Sequence, residues 1–206
     1  KDSLNFDDLI VKYLPTLPYD NVTIRNLLTH TSGLPEYLDY EENFRTDTPF
    51  TNHMLLEFYS CDIPDMIATP NDSFEYVNTN YALLALIIEA VSGQSFVDYV
   101  RANILIPAGM TNTYFYTELP TLSHLDVCKG HLNDGSQEKD NIFNSVLGDK
   151  SMYSTADDLF KWYKAYYLEY KIVPKNWVEN AMIPHNKVKG GFPKELYGYG
   201  LRIEEH

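Results

Sequence analysis

A chain of 206 residues that is 44% hydrophobic and 22% charged has ordinary globular composition, with length enough to bury a substantial core in one or two subdomains. Its net charge of −13 and pI near 4.7 argue against binding nucleic acid or an anionic membrane, because both need clustered Lys and Arg. The two cysteines, Cys61 and Cys128, fit neither a disulfide framework nor a zinc site, and read as free thiols with one disulfide as the alternative.

Lys1 opens without a methionine and a helical pattern follows almost at once, so the start reads as cut and gives no compartment. Asn5-Phe6-Asp7-Asp8 precedes Leu9, Ile10, Tyr13 and Leu14 at helical spacing, which predicts a short helix stopped by Pro15 and Pro18. Thr23 is placed to cap a second helix, Ile24 to Thr29, with Leu27 and Leu28 inward and a close at His30-Thr31-Ser32-Gly33. His30 there reads as a hydrogen-bonding residue of the helix end rather than a catalyst. A loop with at most one helical turn is expected over residues 34–50. A helix follows from Thr51 to Tyr59, with Met54, Leu55 and Phe58 on one face, and then an irregular stretch to Asp72 holding Pro64 and Pro70.

The segment from Ser73 to Gly93 is the one the rest is organised around. From Tyr81 to Val91 it carries Leu83, Leu84, Leu86, Ile87 and Ile88 with small Ala82, Ala85 and Ala90 between them, and Glu89 as the only charge. A helix apolar on nearly every side is expected to be buried on nearly every side. It is far shorter than the roughly 20 apolar residues a membrane span needs. Gly93 ends it, since glycine takes the left-handed conformation at low cost. Just ahead lies Tyr76-Val77-Asn78-Thr79-Asn80, a phenol, two amides and a hydroxyl at the mouth of a buried element.

Ser95 with Asp98 predicts the start of a helix from Phe96 to Ile104 that Pro107 ends. From Thr111 to about Asn144 the pattern changes: Thr113 to Tyr116 and Val127 to Leu132 favour strands, and Asn133-Asp134-Gly135 is turn chemistry, so residues 111–144 read as a hairpin or long excursion. Ser154 with Asp157 is expected to cap a long helix to about Tyr170, whose Trp162, Tyr163, Tyr166, Tyr167 and Tyr170 recur at core spacing and read as packing. One more helix is predicted from Asn176 to Met182. Lys189-Gly190-Gly191 reads as a loop, and Tyr197 to Glu204 as a single strand beginning as the chain ends, with no partner following it. Neither a metal nor a cofactor is called for.

Four blocks carry a family resemblance. They are Leu4-Asn5-Phe6-Asp7-Asp8 leading to Tyr13-Leu14-Pro15, then Ile24-Arg25-Asn26-Leu27-Leu28-Thr29-His30-Thr31-Ser32-Gly33-Leu34-Pro35. The third runs from Phe74-Glu75-Tyr76-Val77-Asn78 through Ile88-Glu89-Ala90-Val91-Ser92-Gly93 to Ile106-Pro107-Ala108-Gly109-Met110, and the fourth is Met152-Tyr153-Ser154-Thr155-Ala156-Asp157-Asp158-Leu159. In this order and spacing they resemble the serine β-lactamase and penicillin-binding-protein superfamily, closest to its class C β-lactamase and D-alanyl-D-alanine carboxypeptidase/esterase branch.

The resemblance implies an α+β, mostly helical fold, with residues 1–206 as the helical lobe that packs against an antiparallel sheet. It implies acyl transfer to a serine in a Ser-x-x-Lys motif, helped by Tyr-x-Asn or Ser-x-Asn and by a Lys-Thr-Gly or His-x-Gly strand. Tyr76-Val77-Asn78 matches the second motif, which makes Tyr76 the implied proton relay and Asn78 the implied hydrogen-bonding partner of the substrate amide. A phenol of ordinary pKa near ~10 needs the motif lysine beside it to act as a base. The plainer alternative is that the two residues only cap and seal the central helix. The other motifs do not appear: Ser136-Gln137-Glu138-Lys139 is the one formal Ser-x-x-Lys match, and it lies after Tyr76 in a polar, turn-rich loop and is rejected. Smaller departures are Ala108 where the family has leucine, and Asn71 where it has glycine, the latter tolerable because Asn also visits the left-handed region.

The expected function is therefore one wall of a serine-hydrolase site, inactive by itself, within a protein acting on D-alanyl peptides, β-lactams or small esters. Its expected partner is a small-molecule or peptide substrate, with no nucleic acid and with self-association through an unpaired 197–203 strand. By the same resemblance the compartment is bacterial and periplasmic or otherwise extracytoplasmic. The rival from another class is a non-catalytic helical module that binds a peptide or a protein.

Overall fold

The computed structural model describes residues 4–44, 48–122, 126–187 and 195–204. The expected Lys189-Gly190-Gly191 loop lies outside them. Near the start a single 3₁₀ turn, Ile10–Lys12, stands where a short helix was expected, and the Ile10 N–H donates to Val22 O at 2.9 Å. The next helix, α1 (Ile24–Leu28), begins where Thr23 accepts from the Asn26 N–H at 3.2 Å while the Asn26 amide oxygen accepts from the Thr23 N–H at 3.0 Å. Two donors that a helix start leaves orphaned are thereby satisfied. Within the loop that follows, Tyr37–Asn43 forms a 3₁₀ segment whose Tyr37 is fully buried. Helix α2 (Asn52–Cys61) is capped by Thr51 and buries Leu55, Phe58 and Tyr59.

The central helix, α3 (Asn78–Ser92), ends at Gly93 with φ +67°. Its burial is one-sided, which corrects the expectation of burial all round: Thr79, Asn80, Ala82, Leu83, Ala85, Leu86 and Ile87 are buried, whereas Tyr81, Leu84, Ile88 and Val91 are only partly so and Ala90 is exposed. Hydropathy records how apolar a helix is, not on which sides neighbours arrive. The buried side meets Leu27 of α1, Leu55 and Tyr59 of α2 and the loop residues Phe50 and Phe143 in the main core. The other side, with Leu4, Phe6, Leu28 and Phe96, lines an apolar groove of about 300 Å³. No single helix among the described residues is long and apolar enough to cross a membrane.

Ser95 caps α4 (Phe96–Val100) through the Asp98 N–H, as the spacing predicts. Pro107 does not end the helical run. A wide i→i+5 turn over Arg101–Leu105 leads into α5 (Ile106–Ala108), and Gly109 at φ +74° makes the end. The wide turn accommodates the proline ring and its missing N–H, which an ordinary interior turn would not.

The strand expected at residues 113–116 is reduced to β1 (Tyr114–Phe115), and its antiparallel partner is β2 (Met152–Tyr153). Val127 to Leu132 forms no strand. A single bridge, His131 to Gln137, closes a tight turn there, and the surroundings are exposed, with Leu132 at 52%. Residues with strand propensity form strands when a half-buried surface receives them, and this loop offers none.

Helix α6 (Ala156–Tyr163) is capped by Thr155, not Ser154, whose hydroxyl instead meets that of Thr113 at 2.8 Å. A second wide turn, Lys164–Leu168, extends it. Trp162 packs against the small core of Val100, Leu105, Met110, Phe115 and Leu147, but most of the aromatic run stacks on itself near the surface: Trp162 lies on Tyr166 at 5.3 Å, and Tyr163 is 46% exposed. Helix α7 (Lys175–Ala181) follows. The expected lone terminal strand is instead the last part of a three-stranded antiparallel sheet in the order β3 (Asn186–Lys187), β4 (Glu195–Tyr197), β5 (Arg202–Glu204). Gly198 and Gly200 form the turn that splits 197–204, Gly200 at φ +73°, so the strand has partners within the chain.

Candidate functional site

At the N-terminus of α3, Val77 is extended and Asn78 is the first helical residue, so Tyr76 and Asn78 leave the chain on either side of a sharp change of direction. Tyr76 is 51% exposed and Asn78 is half-buried. The block after α1 supports them. His30, only 1% exposed and left-handed at φ +53°, sets its ring 4.3 Å from that of Tyr76 and 5.1 Å from that of Tyr81. Its Nδ1 accepts from the Val77 N–H at 3.3 Å and from Asn80 Nδ2 at 3.1 Å, so the neutral ring carries its proton on Nε2. Burial, with Arg202 nearby, pushes the His30 pKa down to about 4, and the ring is uncharged at neutral pH. It is the structural hydrogen-bonding residue that the sequence indicates.

Further bonds lace the two blocks together. Ser32 Oγ donates to the fully buried Asn80 Oδ1 at 2.6 Å, the Glu75 N–H donates to His30 O at 2.9 Å, and Asn26 Nδ2 donates to Asn71 Oδ1 at 2.7 Å. Asn71 does sit in the left-handed region, at φ +73°. Gly33 is obligatory: φ is +71°, and a Cβ there would lie 1.9 Å from Ala68 O.

Glu36, to which sequence reasoning gave no role, reaches the same corner. Its Oε2 accepts the Asn78 N–H at 2.7 Å and Asn78 Nδ2 at 2.9 Å. Beside it, Thr79 Oγ1 donates to Pro35 O at 2.7 Å and accepts the Tyr37 N–H at 3.0 Å. A carboxylate standing right after Gly-Leu-Pro was the available signal. On the open side, the Arg202 guanidinium of β5 lies 6.0 Å from the Tyr76 ring centre, and Tyr197 of β4 meets the edge of His30 at 5.1 Å.

The rejected motif is far less organised. Ser136 is exposed, and its hydroxyl donates to Asp134 Oδ1 at 2.6 Å within its own turn. Cys61 and Cys128 are both exposed free thiols. Among the described residues no cluster of three or more His, Cys, Asp or Glu side chains is arranged to hold a metal. A second polar cluster joins Tyr37, Asp149 and Lys150: Tyr37 OH donates to Asp149 Oδ2 at 2.8 Å and Lys150 contacts both. Burial first, and then Asp149, pushes the Tyr37 phenol far up, which keeps it a donor.

Comparison with known proteins gives a consistent picture. The Beta-lactamase family model matches residues 1–206. Penicillin-binding protein 4* of Bacillus subtilis (strain 168) is 32% identical over 198 residues, covering 89% of this chain and 44% of that protein. The structure of a penicillin binding protein from Bacillus halodurans superposes with a TM-score of 0.81 at 29% identity, covering 99% of this chain and 62% of that one. The octameric penicillin-binding protein homologue from Pyrococcus abyssi superposes with a TM-score of 0.78 at 30% identity, covering 97% and 48%. The chain therefore spans about half the length of the curated relatives it matches.

Proposed function

This chain belongs to the β-lactamase family, within the serine β-lactamase and penicillin-binding-protein superfamily, and we propose that it forms one wall of an acyl-transfer site. In this reading Tyr76 relays the proton between the attacking hydroxyl and the leaving group, and Asn78 hydrogen-bonds the amide of the substrate. The observation that carries it is the half-exposed Tyr76 phenol, backed by His30, next to an Asn78 held at the first turn of α3. Acyl transfer to a serine needs that proton moved twice, once as the hydroxyl attacks and once as the leaving group departs.

The substrate is a D-alanyl peptide, a β-lactam or a small ester. The chain by itself forms no acyl-enzyme, because its 206 residues hold no Ser-x-x-Lys at the head of an apolar helix and no Lys-Thr-Gly or His-x-Gly motif. Self-association through 197–203 would use the edge of β5, which pairs only with β4 among the described residues.

The test is intact mass spectrometry after incubation with a fluorescent penicillin and with a fluorophosphonate. The isolated chain is expected to gain no mass, and the full protein that carries it to gain one adduct. A stoichiometric adduct on the isolated chain would return Ser136 to consideration. No adduct on either would favour the helical peptide- or protein-binding module.

A further inference from the structure

The geometry points to Glu36 as the positioning residue of the site: it selects which end of the Asn78 amide faces the substrate. This inference rests on the proposed acyl-transfer reading of Asn78.

The two ends of an asparagine amide are nearly the same size, so its orientation is decided by its partners. A carboxylate only accepts, and Glu36 Oε2 lies 2.9 Å from the side-chain nitrogen of Asn78, which turns the NH₂ end toward Glu36. The same oxygen takes the Asn78 backbone N–H at 2.7 Å, one of the donors that the start of α3 leaves orphaned, since the apolar side chain of Val77 has no acceptor to cap it. Glu36 therefore holds the main chain and the side chain of one residue through one atom. Its other oxygen accepts the Leu38 N–H at 3.3 Å, which fixes the carboxylate plane.

The segment carrying Glu36 is itself pinned to α3. Pro35 O accepts from Thr79 Oγ1 and from the buried Tyr59 hydroxyl, each at 2.7 Å, and the Tyr37 N–H donates to Thr79 Oγ1 at 3.0 Å. Hydrogen bonds on both sides of Glu36 thus set its register against Asn78. The consequence lies at the other end of the half-buried amide. With its nitrogen committed to Glu36, Asn78 Oδ1 makes no hydrogen bond among the described residues, which leaves one acceptor and one remaining N–H for a substrate.

Capping and orienting separate in a double-mutant cycle on the full protein, with kcat/KM for acylation by a chromogenic β-lactam as the readout. Glu36→Leu is expected to lower kcat/KM roughly 10- to 100-fold, the loss typical of a charge-assisted hydrogen bond. Glu36→Gln, which still presents an acceptor, is expected to stay within about threefold of wild type. In an Asn78→Ala background, Glu36→Leu is expected to change the rate by less than about twofold while still lowering Tm, because the helix-start N–H loses its cap in both backgrounds. Glu36→Asp, whose shorter arm leaves one donor unmet, repeats the cycle should Glu36→Leu not fold. An equal rate loss in both backgrounds, or no loss in the wild-type background, overturns the assignment. If Asn78→Ala or Tyr76→Phe alone leaves the rate unchanged, the acyl-transfer reading fails instead, and the orienting role falls with it.

Discussion

The imidazole of His30 and the phenol of Tyr76, which come from separate blocks of the chain, lie with ring centres 4.3 Å apart and planes 30° from parallel. The buried histidine is the floor on which the half-exposed tyrosine rests. Because His30 Nδ1 also accepts from the Val77 N–H and from Asn80, one side chain sets the backbone just before α3 and the ring just before that. A shift of His30 would move the proposed relay with it.

That arrangement makes stability depend on pH in a defined direction. His30 titrates near 4 in the folded chain, held down by burial and by Arg202, against about 6.5 when unfolded. Between these values the unfolded chain binds the extra proton, so stability falls as pH drops from 6.5 towards 4, by about 3 kcal/mol, and is flat from this source above 6.5. Tyr76, Tyr81, Tyr197 and Phe74 surround the ring, and Arg202 is the nearby cation. His185, also lowered by burial, acts in the same sense. Asp8, held at about 2 by Tyr13 and Lys12, acts only at lower pH. Urea unfolding of wild type and His30→Asn at pH 7 and pH 4.5 checks this: the variant should lose less on acidification, and equal losses would contradict it.

Gly33→Ala should be among the most damaging single-methyl changes in the chain. The new Cβ would meet the Ala68 carbonyl oxygen at 1.9 Å in a left-handed backbone, and both must yield. A destabilisation of about 3 kcal/mol or more is expected from denaturant titration, and less than about 1 kcal/mol would show that the loop adapts freely.

Asp158, fully buried, ties together three neighbours: the Asn112 N–H at 2.7 Å, the Thr113 hydroxyl at 2.9 Å and Lys161 at 2.7 Å. Burial alone would raise its pKa, but Lys161 and the two other donors together hold it below the ordinary value. Asp158→Ala should cost about 2 kcal/mol, since it strands the buried Thr113 hydroxyl and removes the partners of the Asn112 N–H and of Lys161. Asp157→Ala, one residue earlier and exposed, should cost under about 0.5 kcal/mol in the same assay.

Most of what is decided within a few residues was legible, though the cap of α6 falls on Thr155 and not Ser154. Thr23 and Ser95 cap the helices that their spacing indicates, and Gly93 stops α3. Features decided at a distance were not. The partner of Tyr114–Phe115 is a pair of residues near 152 rather than the next strand-like stretch, and the bare face of α3 depends on where other helices arrive. The terminal hairpin was misread although Gly198 and Gly200 announce a turn, because alternating apolar residues on both sides of it mimic one longer strand. The proposed pair Tyr76 and Asn78 was picked out by a local motif, whereas Glu36 bonds a residue 42 positions away and no local pattern names its partner.

The most direct measurement of the central claim is the acylation rate of the full protein by a fluorescent penicillin, compared between wild type and Tyr76→Phe. Phenylalanine keeps the ring that rests on His30 and removes only the hydroxyl, so Tm should stay within about 2 °C of wild type. If Tyr76 relays the proton, the acylation rate should fall about 100-fold or more. A Tyr76→Phe protein that folds normally and acylates at the wild-type rate would contradict the account.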